Sequence, residues 1–147
     1  MKVLTIGFTE KKAERFFSLL KLSGSKKLID VRLNNVSQLS GFAKKDDLKY
    51  FLNELCGIEY VYEPDLAPTK NILKPYQQKE IGWDEYADRF MELMSKRRIE
   101  KALSPSALDG ACLLCSEHLP HHCHRRLVIE YLKDQWPEID LQVQHLT

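Results

Sequence analysis

Residues 112–125 read CLLCSEHLPHHCHR, and they crowd thiols, a carboxylate, imidazoles and a guanidinium into one short stretch. A thiolate is the reactive form of cysteine, and a thiol beside a helix N-terminus, an arginine or a protonated histidine is shifted toward it. Cys115, with Arg125 ten positions on, is on those grounds the candidate nucleophile, and Glu117 and His124 are the candidate acid/base groups. Each has a plainer reading. Cys115 can end a buried strand as one more small apolar residue after Leu113 and Leu114. Glu117 can hold Arg125 or favour a helix N-terminus. Cys123 lies one helical turn before Leu127 and can be buried on the same face.

Thiolate, imidazole and carboxylate are also the ligands of zinc, which raises a metal site built from Cys115, Glu117, Cys123 and His124. Adjacent residues of a helix diverge by about 100°, so Cys123 and His124 reach one ion only where the helix has not yet begun. No metal ligand is assigned for that reason, and metal binding stands behind the other readings. His118, His121 and His122 read as a solvent-facing loop. Cys112 and Cys115 form a CxxC by count, but the Leu-Leu between them suits a strand, which turns positions three apart to opposite faces. With Cys56 there are four cysteines; a chain that builds a real core needs no disulfide, and all four are expected reduced.

The elements that must position these groups alternate in type. KVLTIGF (2–8) reads as a buried strand, followed by a helix capped by Thr9 with Ala13, Phe16, Phe17 and Leu20 on one face. KLIDV (27–31) is a second strand, RLNNVSQLSGFAKK a polar loop, and a helix capped by Asp46 or Asp47 runs to Gly57. IEYVY (58–62) is a third strand. Residues 63–82 carry Pro64, Pro68 and Pro75 and predict an irregular excursion with a short helix near 75–79. Trp83 to about Arg98 is amphipathic, GACLLCSE (110–117) a fourth strand, His121 to Asp134 the last helix, and LQVQHL (141–146) a fifth strand. Alternation of this kind predicts one three-layer α/β domain over 1–147, a mostly parallel sheet of about five strands with helices on both faces.

Ligands of such sheets bind beyond the strands' carboxyl ends. Three segments converge there: Gly7 and Thr9, Asp30 and Arg32, and Cys115 with Glu117. Asp30 and Arg32 share a face, and the pair either presents the guanidinium fork to an anion or ties a loop down as an ion pair. A last helix opening at Pro120 or His121 would aim its unpaired N–H groups at the same rim, a setting for phosphate.

Hydrophobic residues make up 44% and charged residues 29%, and no apolar run is long enough to cross a bilayer. The N-terminus begins like a core strand rather than a signal peptide, so a cytoplasmic, soluble protein is expected. A net charge of +1 supplies no global attraction for nucleic acid or membrane, and any polyanion contact must be local. No helix-turn-helix, zinc finger or RNP pattern is present, and no cofactor or oligomeric state is indicated.

Taken in order, TIGFT (5–9), LIDVRLNNVS (28–37), GF (41–42), GIEYVY (57–62), LAPT (66–69), LLCSE (113–117), CHRRLV (123–128) and the terminal HL resemble the DUF488 family of small bacterial and archaeal proteins. The resemblance places the family pattern on Gly7, Asp30, Arg32, Cys115, Glu117, Cys123, His124 and Arg125, and implies no activity, because the family's function is unassigned. Gly-His-Ser is common in the family where Gly7-Phe8-Thr9 stands here, and a proline is frequent at the position of Asn35. The leading expectation is a protein that binds an anionic ligand, a nucleotide or nucleic-acid fragment, at Gly7, Thr9, Asp30, Arg32, Cys123 and Arg125. If it is an enzyme, Cys115, Glu117 and His124 are its catalytic groups. The rival is a non-catalytic interaction module whose polar cluster braces the fold.

Overall fold

The computed structural model describes residues 1–36, 41–117 and 121–147. Five strands, β1 (Lys2–Gly7), β2 (Lys27–Asp30), β3 (Glu59–Tyr62), β4 (Ala111–Cys115) and β5 (Gln142–Leu146), form one sheet in the order β3-β2-β4-β1-β5. Every pairing is parallel. Seven α-helices lie among the described residues: α1 (Ala13–Ser23), α2 (Lys45–Phe51), α3 (Lys70–Gln77), α4 (Trp83–Arg97), α5 (Ile99–Ala102), α6 (Pro105–Leu108) and α7 (His124–Gln135).

The alternation of side chains along each strand sorts the core into two layers. On one side Val3, Ile29, Leu113 and Cys115 meet Tyr86, Phe90 and Met94 of α4 and Leu127 and Val128 of α7. On the other Leu4, Ile6, Leu28, Cys112 and Leu114 meet Phe16, Phe17 and Leu20 of α1 and Leu48 of α2. The result is a three-layer α/β fold with an all-parallel sheet. Cys112 and Cys115 do face opposite layers. β4 is buried at all five positions, as a central strand covered on both faces must be, which is why its sequence is a continuous apolar run. No helix among the described residues is long and apolar enough to cross a membrane.

Several boundaries differ from expectation. α1 starts at Ala13 behind Lys12 with no side-chain cap, and Thr9 spends its hydroxyl elsewhere. α2 starts at Lys45, so Asp46 and Asp47 occupy its first turn, where acidic groups complement the helix dipole without capping it. A π-helical turn, Leu52–Cys56, extends α2 to Gly57, whose φ of 64° ends it as anticipated. α3 begins at Lys70 and contains Pro75 rather than starting there. The short α5 and α6 carry no full amphipathic period and were not predicted. Most consequential, α7 begins at His124 rather than His121, and Cys123 is its extended N-cap, φ −137° and ψ 137°. The expected helix start at Pro120, His118 of the histidine group and loop positions 37–40 lie outside the described residues.

Candidate functional site

β2 delivers the first part of the rim. Asp30 and Arg32 are 0% and 2% exposed and paired, Arg32 Nε and Nη2 each donating over 2.8 Å to a different carboxylate oxygen. Arg32 Nη1 donates to the Ala43 carbonyl over 2.7 Å, and the Tyr60 hydroxyl donates to Asp30 over 2.5 Å. Asn35 Nδ2 completes the network at 3.4 Å from Asp30. Burial, then the bond to Asp30, pushes the Tyr60 hydroxyl's pKa up, so it remains a donor. Of the two readings offered for the pair, this is the one that ties the loop down: the guanidinium fork closes on Asp30.

β1 and α7 meet through Gly7. A Cβ there would fall on the Glu117 carbonyl oxygen and within 2.6 Å of Arg125 Nη1. That same Nη1 donates to the Glu117 carbonyl over 2.5 Å and to Cys115 Sγ over 3.3 Å. Thr9 donates from its backbone N–H over 3.0 Å, and from its hydroxyl, to the Ser116 carbonyl. Gly7, Thr9 and Arg125 therefore fasten the segment after β4 to the end of β1. Replacing Gly7 by alanine is expected to lower stability by about 1–3 kcal/mol, because a packed backbone carbonyl must move. Urea unfolding of Gly7→Ala measures it, and a loss below a few tenths would mean that the segment gives way freely.

Arg125 is fully buried, and burial brings its pKa down to about 10, still cationic at neutral pH. His124 Nε2 lies 2.6 Å from the Val31 carbonyl. A carbonyl only accepts, so Nε2 carries the proton and Nδ1 keeps its lone pair. Burial is the main reason that the imidazole's pKa is pulled down to about 4, with Arg125 pushing the same way, so the ring is neutral.

Cys115 and Cys123 are joined as a disulfide, with their Cα atoms 7.4 Å apart, while Cys56 and Cys112 are free. The expectation of four reduced cysteines is corrected here: β4 ends at one sulfur and the extended N-cap of α7 brings in the other. Nucleophilic work by Cys115 requires reduction first. Burial pushes the Cys112 thiol's pKa up, as befits a core residue. The two sulfurs and a ring nitrogen of His124 lie within 4.8 Å of one another. The angular objection to a shared metal fails because the helix begins only after Cys123.

These groups open on a pocket of about 280 Å³ at the carboxyl ends of the strands. Arg32, Cys115, Glu117, Cys123 and His124 line it together with Tyr76, Tyr86 and His122. Gly7, Thr9, Asp30 and Arg125 support its wall without lining it. His122 stacks on Trp83 with ring centroids 4.8 Å apart, and Tyr76 on Tyr86 at 4.7 Å. Sequence reasoning missed the contributions of Val31, Tyr60, Tyr76 and Tyr86. A larger, mostly apolar groove of about 690 Å³ lies between α1 and α2, lined by Phe17, Phe42 and Phe51.

A family model described as a domain of unknown function, DUF488, matches residues 12–132 and so spans every rim residue except Gly7 and Thr9. No curated protein and no solved structure matches the chain.

Proposed function

Because the chain belongs to the DUF488 family, whose description assigns no activity, its role must be read from the pocket, and we propose that it binds a small anionic, nucleotide-like ligand there. The observation that carries this reading is that three separate segments bring Arg32, Cys115, Glu117, Cys123 and His124 around one opening at the strand ends. Open parallel sheets place ligands at this edge. Cys123 and His124 are the N-cap and first residue of α7, so the positive end of a twelve-residue helix borders the opening and favours an anion. The partly exposed ring of Tyr76, backed by the buried Tyr86 on which it stacks, offers an aromatic edge of the pocket to a base. Cys115, Cys123 and His124 are the reacting centre, and Glu117, exposed on the wall, is the acid/base group.

Charge changes at exposed wall positions test the reading without disturbing the core. Inorganic phosphate and nucleoside mono- and diphosphates are expected to raise the melting temperature; at a hundredfold excess over Kd the gain is about 2.7 kcal/mol. Glu117→Gln removes a negative charge from the mouth and should tighten binding a few-fold, whereas Gln77→Glu adds one and should weaken it. Absence of stabilisation by every anion, or stabilisation indifferent to both substitutions, would sink the proposal.

A further inference from the structure

We propose that Cys115 and Cys123, once reduced, form with His124 a zinc site of three protein ligands whose fourth position opens on the pocket. This rests on reading that pocket as a ligand site and supplies the cofactor at its centre. The three donors already lie within 4.8 Å of one another. They are held from three directions: Cys115 by the end of β4, Cys123 by the extended residue before α7, and His124 by the Val31 carbonyl beyond β2.

Each donor is set up for the task. A histidine that binds a metal through one nitrogen usually gives the other N–H to a carbonyl or carboxylate, which fixes its tautomer and aim. The 2.6 Å bond from His124 Nε2 to Val31 does this and leaves Nδ1 as the ligating atom. Two thiolates in a buried site need compensation, and Arg125 Nη1 stands 3.3 Å from Cys115 Sγ. Two sulfurs bound tetrahedrally at about 2.3 Å from zinc sit roughly 3.8 Å apart. The 7.4 Å between the two Cα atoms exceeds the roughly 6.8 Å upper end usual for disulfides, so the backbone already leaves room for an ion between parted sulfurs.

Thiolate and imidazole donors select zinc over magnesium or calcium. Three protein ligands with one open position is the arrangement of catalytic zinc, whereas structural zinc closes all four. Here the open position faces the pocket, so an oxygen of the bound ligand or a water can enter it, within the cavity that Glu117 also lines. Loading requires the dithiol. A phosphine reduces the disulfide with one water, giving two thiols and the phosphine oxide, and zinc then displaces the two thiol protons.

The full chain, reduced by phosphine and then freed of it, is titrated with cobalt(II) and afterwards with zinc(II). One equivalent of cobalt should give a thiolate charge-transfer band and visible bands of tetrahedral intensity, and zinc should abolish both. The oxidised chain, with the same sequence and fold but no thiolates, should give neither band. Cys123→Ser should remove about half of the charge-transfer intensity, His124→Ala should weaken binding by about tenfold or more, and Cys56→Ser should change nothing. Reduced protein whose circular dichroism reports a native fold but which binds no cobalt, or a band that persists in the Cys115→Ser, Cys123→Ser double variant, overturns the proposal. Anion-dependent stabilisation of the metal-free chain reads the pocket alone, so the two proposals fail separately.

Discussion

Asp30→Ala should destabilise the protein by about 3–5 kcal/mol, the usual result of stranding one partner of a buried ion pair. Its carboxylate receives Arg32 Nε and Nη2 over 2.8 Å each, the Arg32 backbone N–H over 3.1 Å and the Tyr60 hydroxyl over 2.5 Å. Without it the guanidinium, 2% exposed, still donates to the Ala43 carbonyl, but the Tyr60 hydroxyl loses the carboxylate it donates to. Replacing both partners, as Asp30→Leu with Arg32→Met, removes the stranded charge and should recover a large part of the loss. Urea unfolding of the two single variants and the double measures the coupling. A loss under about 1 kcal/mol for Asp30→Ala would place the pair with exposed, solvent-screened ion pairs instead. The same energetics make Arg32→Ala a poor probe of ligand binding, since it unfolds the rim before it tests it.

The sheet was legible in the sequence because its signal is redundant. Each strand is an apolar run, each following helix carries its own apolar face, and together they admit few arrangements. The site residues were legible as a group for a related reason: they stand where strands end. Their bonding was not. Whether Arg32 would meet a ligand or Asp30 depends on Tyr60 and Asn35 closing around the carboxylate, and the contacts of Tyr60 with Asp30 and with Asn35 cross 30 and 25 positions of chain. The start of α7 was missed by three residues because the histidines before it carry no decisive helix or loop preference. That small shift changed the chemistry, since an extended Cys123 can share a centre with His124 and a helical one cannot. Tyr76 and Tyr86 reach the pocket from α3 and α4; the short helix expected near 75–79 and the amphipathic helix expected from Trp83 fixed their elements, but not that the two rings would stack beside the strand ends.

The oxidised, metal-free chain should lose stability as pH falls from about 6.5 toward 4, and His124 should be the main cause above pH 5. In the unfolded chain its imidazole titrates near 6.5; in the fold, burial first and Arg125 second pull its pKa down to about 4, against the opposing pull of the Val31 carbonyl and Asp30. The sign follows from which state takes the proton. Above 6.5 both states are neutral, and this residue adds no pH dependence. Between the two values only the unfolded state is protonated, so each step down in pH favours unfolding, and the whole gap is worth about 3 kcal/mol. His145 is lowered as well and adds a smaller slope of the same sign, while the raised carboxyl of Glu63 tilts the opposite way nearer its own range. Urea midpoints taken between pH 7 and 5 should therefore fall in the wild type. His124→Gln keeps a side-chain N–H for Val31 but cannot take a proton, so its midpoints should start lower and lie nearly flat over that range. An equal slope in both would assign the acid sensitivity to other groups and remove the case for a buried, neutral His124.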